Sequence, residues 1–107
     1  MPMFRTPIRI RFFLMLLLAV LAPACAVNPP VQEMSNARQA IEAAVASGAE
    51  IHAPSELAEA RALLDRASDA LGEEDYPAAR RHALEAKAAA IRARQESLRK
   101  RQADHPR

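Results

Sequence analysis

The residue types that could do chemistry are few in this chain, and they are poorly spaced for it. Its three histidines, His52, His82 and His105, fall in three separate segments, and only His82 has a carboxylate, Glu85, at a spacing that shares a helical face. A transition-metal site needs three or four such donors converging on one point. That pair therefore reads as a solvated or packed histidine, and no metal or cofactor is expected. The thirteen Asp and Glu residues recur at helical spacing beside arginines, the pattern of solvent-face ion pairs and not of an acid/base dyad. There is no nucleophile elbow, no glycine-rich phosphate loop and no histidine paired with the single cysteine. The chain is expected not to be an enzyme, with no catalytic residues.

That cysteine, Cys25, is the one reactive side chain with an informative setting. Arg5, Arg9 and Arg11 precede an apolar run from Phe12 to Ala22, which is followed by "PAC". This is the three-part layout of an export signal. Eleven apolar residues span roughly 16 Å as a helix, about half a bilayer core, so a lasting transmembrane anchor is disfavoured. Ala22 and Ala24 satisfy the small-x-small rule for cleavage just before Cys25. "LAPAC" is also similar to a bacterial lipobox, in which the cysteine becomes a diacylglyceryl thioether and the first mature residue. It departs from that pattern by carrying Ala22 where leucine is usual, with Leu21 one place earlier. A lone thiol at the cut in an exported chain has no intramolecular partner, and lipidation gives it a role. The other readings are a free exported thiol or intermolecular disulfide, and an uncleaved anchor. In the lipoprotein reading Ala26, not Asp, follows the cysteine, which by resemblance to Gram-negative lipoprotein sorting points to the outer membrane.

Residues 1–24 are thus read as a lipoprotein-type signal peptide, 25–29 as the lipidated cysteine and a short tether stiffened by Pro29 and Pro30, 30–103 as the folded domain and 104–107 as a disordered tail. The domain is rich in alanine and has no Trp, one Tyr (Tyr76) and no Phe beyond Phe13. So few large apolar groups support a thin seam, not a deep pocket.

Three helical segments are predicted, an all-α, antiparallel up-down-up arrangement made of an N-terminal helix and a helical hairpin. The chain has two glycines, Gly48 and Gly72, and each is placed where a helix should stop. The first helix runs from about Pro30 to Ser47, with Met34, Ala37, Ile41, Ala44 and Val45 on one face. "GAEIHA" (48–53) is read as a connection, and Pro54 starts the second helix. Leu57, Ala60, Leu64, Ala67 and Leu71 form its seam. Asp75 is an N-cap for a third helix reaching about Gln102, with Pro77 in its first turn. Ala79, Ala83, Ala86, Ala90 and Ala93 form its stripe, flanked by Leu84 and Ile91. A leucine seam facing an alanine seam lets two helices approach closely.

"GEEDYPAARRHALEA" (72–86) resembles the turn and second helix of a tetratricopeptide repeat, with Asp75, Tyr76, Ala79, Ala83 and Ala86 in the matching places. A closer resemblance covers residues 29–93 and rests on "ARQAIEAAVASGAE", "HAPSELAEA", the Leu64 to Leu71 stretch and "DYPAARRHALEA". On these the chain is identified as a member of the bacterial envelope family of domain of unknown function 4398. The resemblance implies exported, often lipidated helical proteins of Gram-negative bacteria and, by its title, no known activity.

Charge is uneven. Residues 54–75 carry seven acids against two arginines, and residues 76–107 nine basic residues against three acids. From Cys25 onward twelve basic residues meet thirteen acids, a net −1. Bulk basicity therefore gives no reason to expect a nucleic-acid partner, and the basic tail has no aromatic residue on which a base could stack. Arg92, Arg94, Arg99, Lys100 and Arg101 form a candidate interaction surface for an anionic partner, against the plainer reading of a solvated helix end. The expected function is a structural or adaptor envelope lipoprotein whose partners are the membrane, through Cys25, and an envelope protein or the cell wall. The alternative is a soluble periplasmic binding or chaperone-like module without lipid, and the thin core leaves room for self-association.

Overall fold

The computed structural model describes residues 7–21 and 28–104. Among these the chain is all-helical, with five helices and no strand: α1 (Pro7–Leu21), α2 (Val31–Ala46), α3 (Ala49–His52), α4 (Pro54–Gly72) and α5 (Tyr76–Ala103). Helices α2, α4 and α5 correspond to the three predicted segments, and α1 and α3 are additional to them. Helix α1 takes in the apolar run as far as Leu21, and Phe12 to Leu17 are exposed along it. None of the helices among the described residues is long and apolar enough to cross a membrane.

Helix α3 is a single turn where a connection is predicted. Gly48 ends α2 with φ 91° and its N–H donates to Val45 O at 2.9 Å. The chain then re-enters helical geometry at once, so that Ile51 and His52 both donate to Gly48 O. A Cβ at Gly48 would sit 3.2 Å from the His52 ring, and positive φ is itself costly for any other residue type. Pro54 then opens α4 where its missing N–H has no helical partner to lose.

The second stop works differently from the prediction. Gly72 is the last residue of α4, without a left-handed backbone, and the left-handed position falls on Glu74 (φ 60°). Asp75 N–H donates to Ala70 O at 2.9 Å and Glu74 N–H to Leu71 O at 3.0 Å, the paired bonds of a Schellman stop. The same Asp75 then caps α5, its carboxylate accepting from Ala78 N–H at 3.3 Å, with Pro77 in the first turn. Three residues thus close one helix and open the next.

Helix α5 packs against both α4 and α2, whereas α2 and α4 touch each other much less. It begins beside the start of α2, where Arg80 meets Glu33, and ends beside its end, where Arg101 meets Ser47. The core is built largely of alanine. Ala37, Ala44, Ala60, Ala67, Ala79, Ala83, Ala86, Ala90 and Ala93 are all buried, and Met34, Ile41, Leu57 and Leu63 are the large side chains among them. On α4 the buried stripe is Leu57, Ala60, Leu63, Ala67 and Ala70. Leu64 and Leu71, predicted in the seam, pack at its edge and remain partly exposed. The physical reason is that α4 meets more than one neighbour, and a narrow 3-4 seam becomes a broader face.

Candidate functional surface

The predicted interaction residues sit on α5, and the structure gives them different environments. Arg92 reaches Glu59 of α4 at 3.7 Å. Arg99 pairs with Glu96 one turn earlier on its own helix, its Nε donating to Oε2 at 3.1 Å. That hydrogen bond holds the Glu96 carboxyl below the ordinary glutamate range and raises the Arg99 guanidinium correspondingly.

Lys100 and Arg101 do something a sequence does not announce. Lys100 Nζ donates to His52 O at 2.7 Å, and Arg101 Nη1 donates to Ser47 O at 3.3 Å. Those oxygens lie at the C-terminal ends of α3 and α2, where carbonyls lack helical partners and the dipole is negative. Two cations of α5 therefore cap the ends of two other helices. Arg94 is exposed and has no hydrogen-bond or ion-pair partner among the described residues.

At the other end of α5, Arg80 ties down the start of the domain. Its Nε donates to Glu33 at 3.2 Å and its Nη2 to the carbonyl of Asn28 at 3.1 Å. The chain entering from residue 28 is thus held beside the first turns of α5. Cys25, the predicted lipidation site, lies outside the described residues, as do His105 and the last residues of the tail.

The histidines do not converge. His52 lies 3.9 Å from Asp104, and His82 3.9 Å from Glu85, both beyond hydrogen-bond range. His82 Nδ1 is buried without a hydrogen-bond partner. No group of three potential metal ligands occurs among the described residues. The concavities described are open grooves, such as the one along α3 and α4 lined by Glu50, Pro54, Leu57, Ala58, Arg61 and Ala62.

The large apolar residues of α5, of which Leu84 and Ile91 are predicted to flank the alanine stripe, lie on the exposed side of the helix. Leu84, Ile91 and Leu98 are 52%, 42% and 38% exposed, while Ala79, Ala83, Ala86, Ala89, Ala90, Ala93 and Ser97 are buried. Ser97 continues the alanine stripe because its hydroxyl is satisfied locally, donating to Ala93 O at 2.7 Å. The seven-residue spacing of Leu84, Ile91 and Leu98 is the signal that marks them as a separate face.

These features define a small alanine-seamed helical module carried on one long helix, with a basic exterior along that helix. The chain belongs to the family of the domain of unknown function DUF4398, whose model matches residues 32–106 and so spans α2 to α5. No curated protein and no solved structure matches it.

Proposed function

We propose that the protein is a non-enzymatic cell-envelope lipoprotein, a structural or adaptor module held at the periplasmic face of the outer membrane by lipid on Cys25. The observation that carries this reading is the placement of the only cysteine directly after "LAPA", behind a basic, apolar leader. The family match to residues 32–106 supports it by starting the shared domain a few residues after that cysteine. In this reading the mature module is an up-down-up arrangement of α2, α4 and α5, whose α4–α5 hairpin resembles a single tetratricopeptide unit. Arg80, by holding Asn28, fixes where the tether leaves the bundle. The basic residues Arg92, Arg94, Arg99, Lys100 and Arg101 then lie toward the opposite end of a helix roughly 42 Å long, directed away from the anchor.

Ala22 in the lipobox-like stretch favours a second reading, a soluble periplasmic helical module cleaved before an unmodified Cys25. Intact mass of the mature protein from a Gram-negative host, beside a Cys25→Ala variant, separates the two. A chain beginning at Cys25 with the added mass of acyl groups, absent from the variant, supports the lipoprotein. An unmodified chain beginning at Cys25 sinks it in favour of the soluble module.

A further inference from the structure

Helix α5 has two apolar stripes on opposite sides. One, of alanines, is buried against α2 and α4. The other consists of Leu84, Ala88, Ile91, Gln95, Leu98 and Gln102, all exposed. These six step by 4, 3, 4, 3 and 4, so at 3.6 residues per turn they form one continuous line opposite the buried face. That line has the 3-4 spacing of a two-stranded coiled-coil seam, apolar at its leucine and isoleucine positions and polar at two others. Nothing in the chain covers it among the described residues.

Its flanks carry the second observation. Arg81, Arg92 and Arg99 run along one side of the line, and Lys87 and Arg94 along the other, which ends at Arg101, the residue held on Ser47 O. Helix α5 as a whole holds eight lysines and arginines against two glutamates, Glu85 and Glu96, while residues 30–75 hold ten acids against three arginines. Exposed pairs such as Arg81 with Glu85 and Arg92 with Glu59 are weak enough to exchange partners. In a coiled coil the residues beside the seam choose the partner by charge.

We propose that the outer face of α5 docks a partner protein's helix whose apolar heptad seam is bordered on both sides by carboxylates. A second copy of α5 in the same place would set cations against cations in either direction. An anionic membrane fits less well, because the stripe is one large residue wide per two turns and has no aromatic anchor. The proposal deepens the adaptor reading and rests on it only in taking the module to act by binding another protein. It is independent of whether Cys25 is acylated.

The test uses the mature full chain, in phosphatidylcholine nanodiscs with empty discs as blank if Cys25 is acylated and free in buffer if it is not, and two labelled four-heptad peptides. Both have a leucine and isoleucine seam, one with glutamates and one with lysines at the flanks. Fluorescence anisotropy should show the glutamate peptide binding at least tenfold tighter than the lysine peptide. A Leu84→Gln, Ile91→Gln double variant should weaken it at least tenfold with unchanged helical circular dichroism, and Ala62→Gln on α4 should not. Equal binding of both peptides, or binding indifferent to the double variant, would overturn the proposal. So would absence of peptide binding, and two such outcomes name the replacement. Variant-sensitive binding to phosphatidylglycerol vesicles would make the face a lipid surface, and variant-sensitive dimerisation in sedimentation would make it a contact between copies. Acylated Cys25 with no peptide binding would leave the anchor standing without this docking face.

Discussion

The two sides of α5 invert the usual distribution of apolar residues. Its inner side buries alanines, with Ala79, Ala83, Ala86, Ala90 and Ala93 fully inaccessible, and its outer side exposes Leu84, Ile91 and Leu98. The difference teaches that burial here is governed by how closely backbones approach, not by hydrophobicity alone. A helix packed between two neighbours gains dispersion contacts along its whole length if its side chains are small, whereas leucines there would force the axes apart. Leu84, Ile91 and Leu98 are left to the side with no helix packed on it among the described residues, where they contribute little to the fold of the single chain.

The comparison can be broken on either side. The largest effect is expected from Leu57→Ala, because Leu57 is the bulkiest fully buried side chain of the alanine core. Removing it should cost about 3 kcal/mol in urea unfolding followed by circular dichroism. A loss below about 1 kcal/mol would mean that the seam collapses around the gap. Next comes Ala86→Leu, which adds volume where both neighbours press and should destabilise by about 2 kcal/mol. A neutral or stabilising result would show that α5 is not held as closely as its buried face indicates.

On the outer side, Ile91→Ala and Leu84→Ala should each change stability by less than about 0.5 kcal/mol. A loss comparable with Ala86→Leu would mean that this face is already covered in solution. The smallest effect concerns Glu96. Its carboxyl is held below the usual glutamate range by Arg99, so it contributes stability that is present above the unfolded-state value and is lost as pH falls through the lowered folded-state value. Melting curves of Glu96→Gln should therefore lie slightly below those of the parent at neutral pH and merge with them in acid. A gap that widens on acidification would contradict the pairing.

Much of this architecture is legible residue by residue. Gly48, Pro54 and Asp75 mark helix ends through local backbone and capping chemistry, which needs no tertiary partner. The alanine stripe of α5 is equally plain, since periodicity alone places its members on one face. The leucines are harder. Leu64 and Leu71 satisfy a narrow seam as well as Leu63 and Ala70 do, and which set is buried depends on how many helices α4 must face. Leu84 and Ile91 read as flanks of a seam until it is known that α5 lies between α2 and α4. The capping of α2 and α3 by Arg101 and Lys100 has no sequence signature, because the partners are 54 and 48 residues away.

By itself, the sequence determined the three long helices, the stop at Gly48, the cap at Asp75, the alanine contact stripe and the separation of acidic from basic segments, all of which arise within a few residues of one another. The single turn α3 and the left-handed stop at Glu74 are not among them. Tertiary structure alone decided which cations serve as helix caps, where the chain from Asn28 joins the bundle, and which apolar line of α5 faces solvent. Those outcomes depend on the order in which three long helices stack, and stacking is settled by close approach between distant segments, a property no local window contains.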